Sequence, residues 1–128
     1  MATILIADDE KDVLRLLGAR LELCGHTVLL ASDGVEAMEV LRGEHDGVDL
    51  IITDIQMPRM NGFELGEQVR TGYPGLPVIY MSGRDTENVV KRARDLRCPQ
   101  VPEDCAFLAM PFTEEELLRV VRTVLKSK

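Results

Sequence analysis

A chain of 128 residues with 45% apolar and 29% charged side chains has the length and composition of one ordinary globular domain, residues 1–128, and is neither fibrous nor disordered. Fifteen Lys and Arg against 22 Asp and Glu give a formal charge of −7, which argues against direct nucleic acid binding, because neutralising phosphates needs a basic face. Three cysteines without a C-x-x-C pair, no apolar run of bilayer length, and an N-terminal apolar stretch cut short by Asp8 and Asp9 point to a cytoplasmic protein with no membrane insertion.

The run Thr3–Ala7 is continuous and rich in β-branched residues, as expected of a strand buried on both faces. Val13, Leu16, Leu17, Leu21 and Cys24 then recur at helical spacing, with Cys24 expected in the core and Gly25 closing the helix. Val28–Ala31 is a second strand. Asp33, with Glu36 three residues on, can cap a second helix that carries Val35, Met38 and Leu41 on one face. Val48–Thr53 is a third strand ending at Asp54, and a short helix is predicted from about Phe63 to Thr71. Pro77–Met81 is a fourth strand, followed by a polar fourth helix over 85–96 and a proline-containing loop over 98–104. Ala106–Ala109 is a fifth strand. Thr113 and Glu116 form a capping box for a fifth helix with Leu117, Leu118, Val121 and Leu125 inward. His26 and His45 are isolated and read as turn or surface residues; Cys98 and Cys105 read as free thiols or as a pair under oxidation.

Five strand–helix units with continuous apolar strands predict an α/β fold, a five-stranded parallel doubly wound sheet with five helices. Ligands in such folds bind beyond the carboxyl ends of the strands. Asp8 and Asp9 follow the first strand, Asp54 the third, Ser82 the fourth, and Met110 the fifth. Any one of these is an ordinary turn or cap residue. Three strand ends bearing acids and a hydroxyl on one edge of one sheet are a different matter. Clustered carboxylates repel one another unless a cation is present, and an all-oxygen donor set suits Mg²⁺. A carboxylate beside such an ion can accept a phosphoryl group as an acyl phosphate.

The segments ILIADDE (4–10), DIQMPRMNG (54–62), MSG (81–83) and FLAMPFT (107–113) resemble the receiver domains of two-component response regulators, in the same order and across essentially the whole chain. The resemblance implies a flavodoxin-like sheet with Asp54 as phosphoacceptor. It implies Mg²⁺ held by Asp9, Asp54 and the backbone carbonyl of Gln56, with Asp8 acting through a metal-bound water. It further implies Ser82 bonding the phosphoryl group and Phe107 in the aromatic switch position, or simply in the core. The implied donor is a phosphohistidine on a sensor histidine kinase or a histidine phosphotransfer protein. A downstream protein would read the face formed by the fourth helix, fifth strand and fifth helix. Such a domain is not an enzyme, and at most assists its own phosphorylation and dephosphorylation.

The sequence departs from the family in two places. Met110 stands where the family has lysine, and methionine supplies no charge, so coupling between phosphorylation and output is expected to weaken. Arg84 either lends charge from the neighbouring loop or stands exposed at a helix start. The stretch from Ser82 to Met110 is longer than in compact receivers, with the excess at 97–105, which resembles the C-terminal receiver modules of hybrid sensor kinases. The alternative function is a degenerate receiver, a protein-interaction module that no longer switches. A phosphohydrolase of the aspartyl-phosphate type is disfavoured, because Gln56 occupies the position where such enzymes need a second aspartate. Neither a P-loop nor a dinucleotide fingerprint follows any strand.

Overall fold

The apolar runs form five strands: β1 (Thr3–Ala7), β2 (Thr27–Ala31), β3 (Leu50–Asp54), β4 (Val78–Ser82) and β5 (Ala106–Ala109). Between and after them lie α1 (Lys11–Leu23), α2 (Gly34–Glu44), α3 (Gly62–Gly72) and α4 (Glu114–Lys126). The structure, a computed structural model, describes residues 2–44, 47–82 and 106–126, the side chains of Glu44, Ser82 and Ala109 excepted. The helix expected at 85–96, the loop at 97–105, Arg84, His45, Cys98 and Cys105 lie outside the described residues.

All pairings are parallel, in the order β2-β1-β3-β4-β5. Alternate strand residues serve opposite faces, as the period of two requires. Ile4, Ile6, Ile52, Ile79 and Leu108 pack with Leu14, Leu17 and Leu21 of α1 and with Leu117 and Val121 of α4. Leu5, Ala7, Ala31 and Ile51 pack on the other side with Ala37, Met38 and Leu41 of α2 and Leu65 and Val69 of α3. Helices on both faces make this the doubly wound α/β sheet expected.

The buried stripe of α1 differs from the expected one. Leu14, Leu17, Gly18 and Leu21 face the sheet, whereas Leu16 is 57% exposed and Cys24 is also exposed. Cys24 is the C-cap, where its N–H bonds Leu21 O at 3.1 Å and Gly25 turns the chain away with φ 92°. Strand ends shift by a residue or two. β3 starts at Leu50, and Asp49 just before it is tied to the first residue of β1, its N–H donating to Thr3 O and its carboxylate accepting from Thr3 N–H. Pro77 precedes β4, lending only its carbonyl, to Ile51 N–H at 3.0 Å. β4 then runs one residue further than expected, through Ser82. His26 has a structural role: its Nδ1 accepts from Ala2 N–H at 3.1 Å.

Candidate functional site

Because β1 and β3 are neighbours in register, Ala7 opposite Thr53, the residues that follow them emerge side by side. Asp8, Asp9 and Asp54 each offer a carboxylate oxygen within 4.8 Å of the others. Asp8 is 2% exposed, Asp54 is half-buried and Asp9 is exposed. Asp8 is held from two sides. Its N–H donates to Ala31 O at 3.1 Å, and its Oδ1 accepts from Glu10 N–H at 2.8 Å. Burial, reinforced by repulsion from Asp54, Asp9 and Glu10, pushes the Asp8 carboxyl up to about 7. Burial likewise raises Asp54, with Asp9 and Glu10 adding to it, while the N–H groups of Ile55 and Gln56 pull the other way. The Ile55 N–H bonds Asp54 Oδ1 at 2.8 Å.

This donor set fits a hard divalent cation. Three carboxylates share a small, half-buried space, and two of them are disfavoured as anions by burial and by one another's charge. The loop after β3 folds back tightly. Gly62 N–H bonds Ile55 O at 2.8 Å, and a Cβ at Gly62 would run into the Asp54 carbonyl and lie 2.9 Å from Ile55 Cα. Asn61 opens α3 through a capping box with Glu64, a start signal that sequence reasoning passed over. Beneath the site, buried Thr53 donates its hydroxyl to Asp54 O at 2.9 Å.

The other expected residues fall around this trio. In the backbone register Asp54 pairs with Met81, so Ser82 lies one position beyond Asp54 on the neighbouring strand, and Ser82 itself pairs with Ala109. Gln56 is exposed, with its N–H towards the Asp54 carboxylate. Phe107 is part-buried and stacks on buried Tyr80 at 5.6 Å; Tyr80 stacks in turn on Phe63 at 5.3 Å. Met110 packs against the core on the α1 side and lines a mainly apolar groove of about 280 Å³ with Val13, Leu17 and Phe112. Sequence reasoning also missed Arg59, whose Nε lies 2.8 Å from Asp33 Oδ2. The sequence marks Asp33 only as a cap, and nothing in the spacing of the two residues links them.

Residues 4–122 match the family described as response regulator receiver domain. The chain is 37% identical over 123 residues to the response regulator MprA of Mycobacterium ulcerans, covering 96% of this chain and 50% of that protein. It thus spans about half the length of this and the similar mycobacterial response regulators it matches. It is also 33% identical over 130 residues to the sensor kinase CckA of Brucella abortus, of which it covers 13%. Among solved structures, a response regulator receiver domain protein of Clostridium thermocellum superposes with a TM-score of 0.83 at 25% identity, covering 99% of this chain and 96% of that one. The chemotaxis protein CheY4 of Vibrio cholerae does so with a TM-score of 0.80 at 27% identity, covering 97% and 98% of the two chains. Among the described residues, no helix is long and apolar enough to cross a membrane.

Proposed function

The chain belongs to the response regulator receiver domain family, and on that premise we propose that Asp54 takes a phosphoryl group with the help of Mg²⁺. The observation that carries this reading is the trio of Asp8, Asp9 and Asp54 with carboxylate oxygens within 4.8 Å of one another. Asp9 and Asp54, with the Gln56 carbonyl, would hold the ion, and Asp8 would support it through water. When bound, Mg²⁺ neutralises part of the carboxylate charge and of the incoming phosphoryl charge.

A carboxylate oxygen of Asp54 forms the new O–P bond as the N–P bond of a phosphohistidine breaks. The freed imidazole nitrogen keeps the electron pair and takes a proton, and Asp54 becomes an acyl phosphate. The Ile55 N–H, already on Asp54 Oδ1 at 2.8 Å, fixes the orientation of the nucleophile. Ser82, one register position beyond Asp54, donates its hydroxyl to a phosphoryl oxygen. Phe107 responds at the switch position, and the face of β5, α4 and the helix expected at 85–96 carries the change to a downstream protein. The donor is a cytoplasmic sensor histidine kinase or phosphotransfer protein. Likeness to both a response regulator and a sensor kinase supports a phosphorelay role. The acid pocket also assists transfer from small phosphodonors, without making the chain an enzyme that acts on other molecules.

The test is incubation with Mg²⁺ and acetyl phosphate, followed by peptide mass spectrometry. The expected result is one phosphoryl group on the Asp54 peptide, lost on chelation and in Asp54→Asn. Label that persists in Asp54→Asn, or none in the parent, overturns the reading. One observation favours a second reading, a receiver that binds partners without switching: Met110 packs among apolar side chains where the family has lysine. Full phosphorylation with unchanged amide spectra in β5 and α4 would select it.

A further inference from the structure

We infer that Asp33 and Arg59 form a clamp that positions the Ile55 and Gln56 peptide groups at Asp54. The clamp makes both residues positioning residues for phosphoryl transfer and rests, in that part, on the function proposed above.

Asp33 follows β2 and is 6% exposed. Its two oxygens have separate partners. Oδ1 accepts from Glu36 N–H at 2.8 Å, which caps α2, and Oδ2 accepts from Arg59 Nε at 2.8 Å. Capping needs only the first oxygen, and serine or asparagine serves equally well there. The second oxygen is directed to a residue on the loop that follows Asp54. The guanidinium beside it, together with the cap, holds the Asp33 carboxyl below the usual carboxylate range.

Arg59 lies at the tip of that loop with φ 66°, a left-handed conformation that long side chains seldom adopt and that persists where the surroundings over-determine it. The tip rests directly on the start of α2. A Cβ at Gly34 would lie 2.7 Å from the Met60 carbonyl oxygen and 2.8 Å from Met60 Cβ. The root of the loop is bound to Asp54 through the Ile55 N–H. The connection closes on the other side of the trio as well: the Ala31 carbonyl, two residues before Asp33, accepts from Asp8 N–H. The end of β2 therefore anchors both Asp8 and, through Arg59, the loop that serves Asp54. Because the Arg59 side chain is 59% exposed, this pair adds little to global stability, and its consequence lies in geometry.

The test uses the 128-residue chain and the variants Asp33→Asn, Arg59→Gly, Arg59→Lys and the Asp33→Asn/Arg59→Gly double. Asp33→Asn keeps the cap and removes the charged acceptor. Arg59→Gly removes the guanidinium and suits the left-handed backbone. Three readouts are taken: metal-free amide shifts of Ile55 and Gln56, Mg²⁺ affinity followed on those amides, and acetyl phosphate transfer at saturating Mg²⁺. The expected result is displaced Ile55 and Gln56 resonances with α2 resonances retained, and Mg²⁺ binding weaker by about three- to tenfold. The double variant should be no worse than either single one, with partial recovery in Arg59→Lys. Parent-like Ile55 and Gln56 shifts in Asp33→Asn and Arg59→Gly, or additive effects in the double, overturn the clamp. Displaced shifts with unchanged Mg²⁺ affinity and transfer overturn its role at the site. If the parent itself takes no phosphoryl group, the proposed function fails, and the metal-free shifts still decide the clamp.

Discussion

At Asp8 the cost of assembling the site can be read as a pH dependence. In the metal-free protein its carboxyl is pushed from the ordinary 3.8 up to about 7, first by burial and then by Asp54, Asp9 and Glu10. Between those values the folded chain keeps a proton that the unfolded chain has released, so stability falls as pH rises through that window. Across that window the loss is on the order of a few kcal/mol. The raised Asp54 adds in the same direction. Thermal melting without metal should therefore decline from about pH 4 to pH 7, and Asp8→Asn should flatten the decline. Saturating Mg²⁺ at neutral pH should reverse it, because the cation favours the ionised carboxylates; a flat metal-free profile in the parent would contradict this account. Asp33 behaves oppositely. Its lowered carboxyl contributes stability above the ordinary carboxylate range that is lost as pH falls through its folded value, so acid unfolding belongs to a separate, lower window.

The packing of α3 on β4 turns on the absence of a single methyl group. A Cβ at Gly66 would overlap the hydroxyl of Tyr80, which is 1% exposed and cannot swing away between Phe63 and Phe107. Gly66→Ala should cost about 1–3 kcal/mol through overpacking, read as a lower urea midpoint, and Tyr80→Phe should recover part of that in the double variant. A midpoint equal to the parent's in Gly66→Ala would show that α3 can move off the sheet. Such a constraint is invisible in a sequence, because it joins two elements through the length of one side chain. What was legible depended on local chemistry. The continuous apolar runs gave the strands, and the register of β1 and β3 brought together acids already assigned to strand ends. Asp33 and Thr113 act as caps as expected, although Glu36 bonds Ser32 Oγ rather than completing a box. The α1 stripe was misread because its leucines offer two overlapping helical faces, and only contact with the sheet selects Leu14 over Leu16. The Arg59–Asp33 pair spans 26 residues, beyond any local rule.

Across the whole molecule, the question is how an event at Asp54 reaches the sheet edge. Ile55, next to Asp54, packs in one cluster with Phe63 and Tyr80, and Phe107 of β5 packs against that cluster. On the opposite face, the end of β5 is fixed differently: Met110 joins the core shared by α1 and α4. In the proposed mechanism a lysine there would tie β5 to the phosphoryl group, while methionine leaves Ser82 as the remaining tether. Close to the acids, one unit charge at an effective dielectric near 20 is worth about 5 kcal/mol gross, of which desolvation leaves roughly 1–3 kcal/mol. Met110→Lys should therefore strengthen coupling while losing on the order of 1 kcal/mol of stability from the apolar contacts it gives up. The measurement is the amide response to beryllofluoride with Mg²⁺. In the parent, changes should be strongest at the carboxyl ends of β1, β3 and β4 and small in β5 and α4; in Met110→Lys those in β5 and α4 should grow. A response there in the variant no larger than the parent's would mean that the aromatic cluster around Tyr80 carries the signal by itself. The methionine would then cost this receiver nothing in switching.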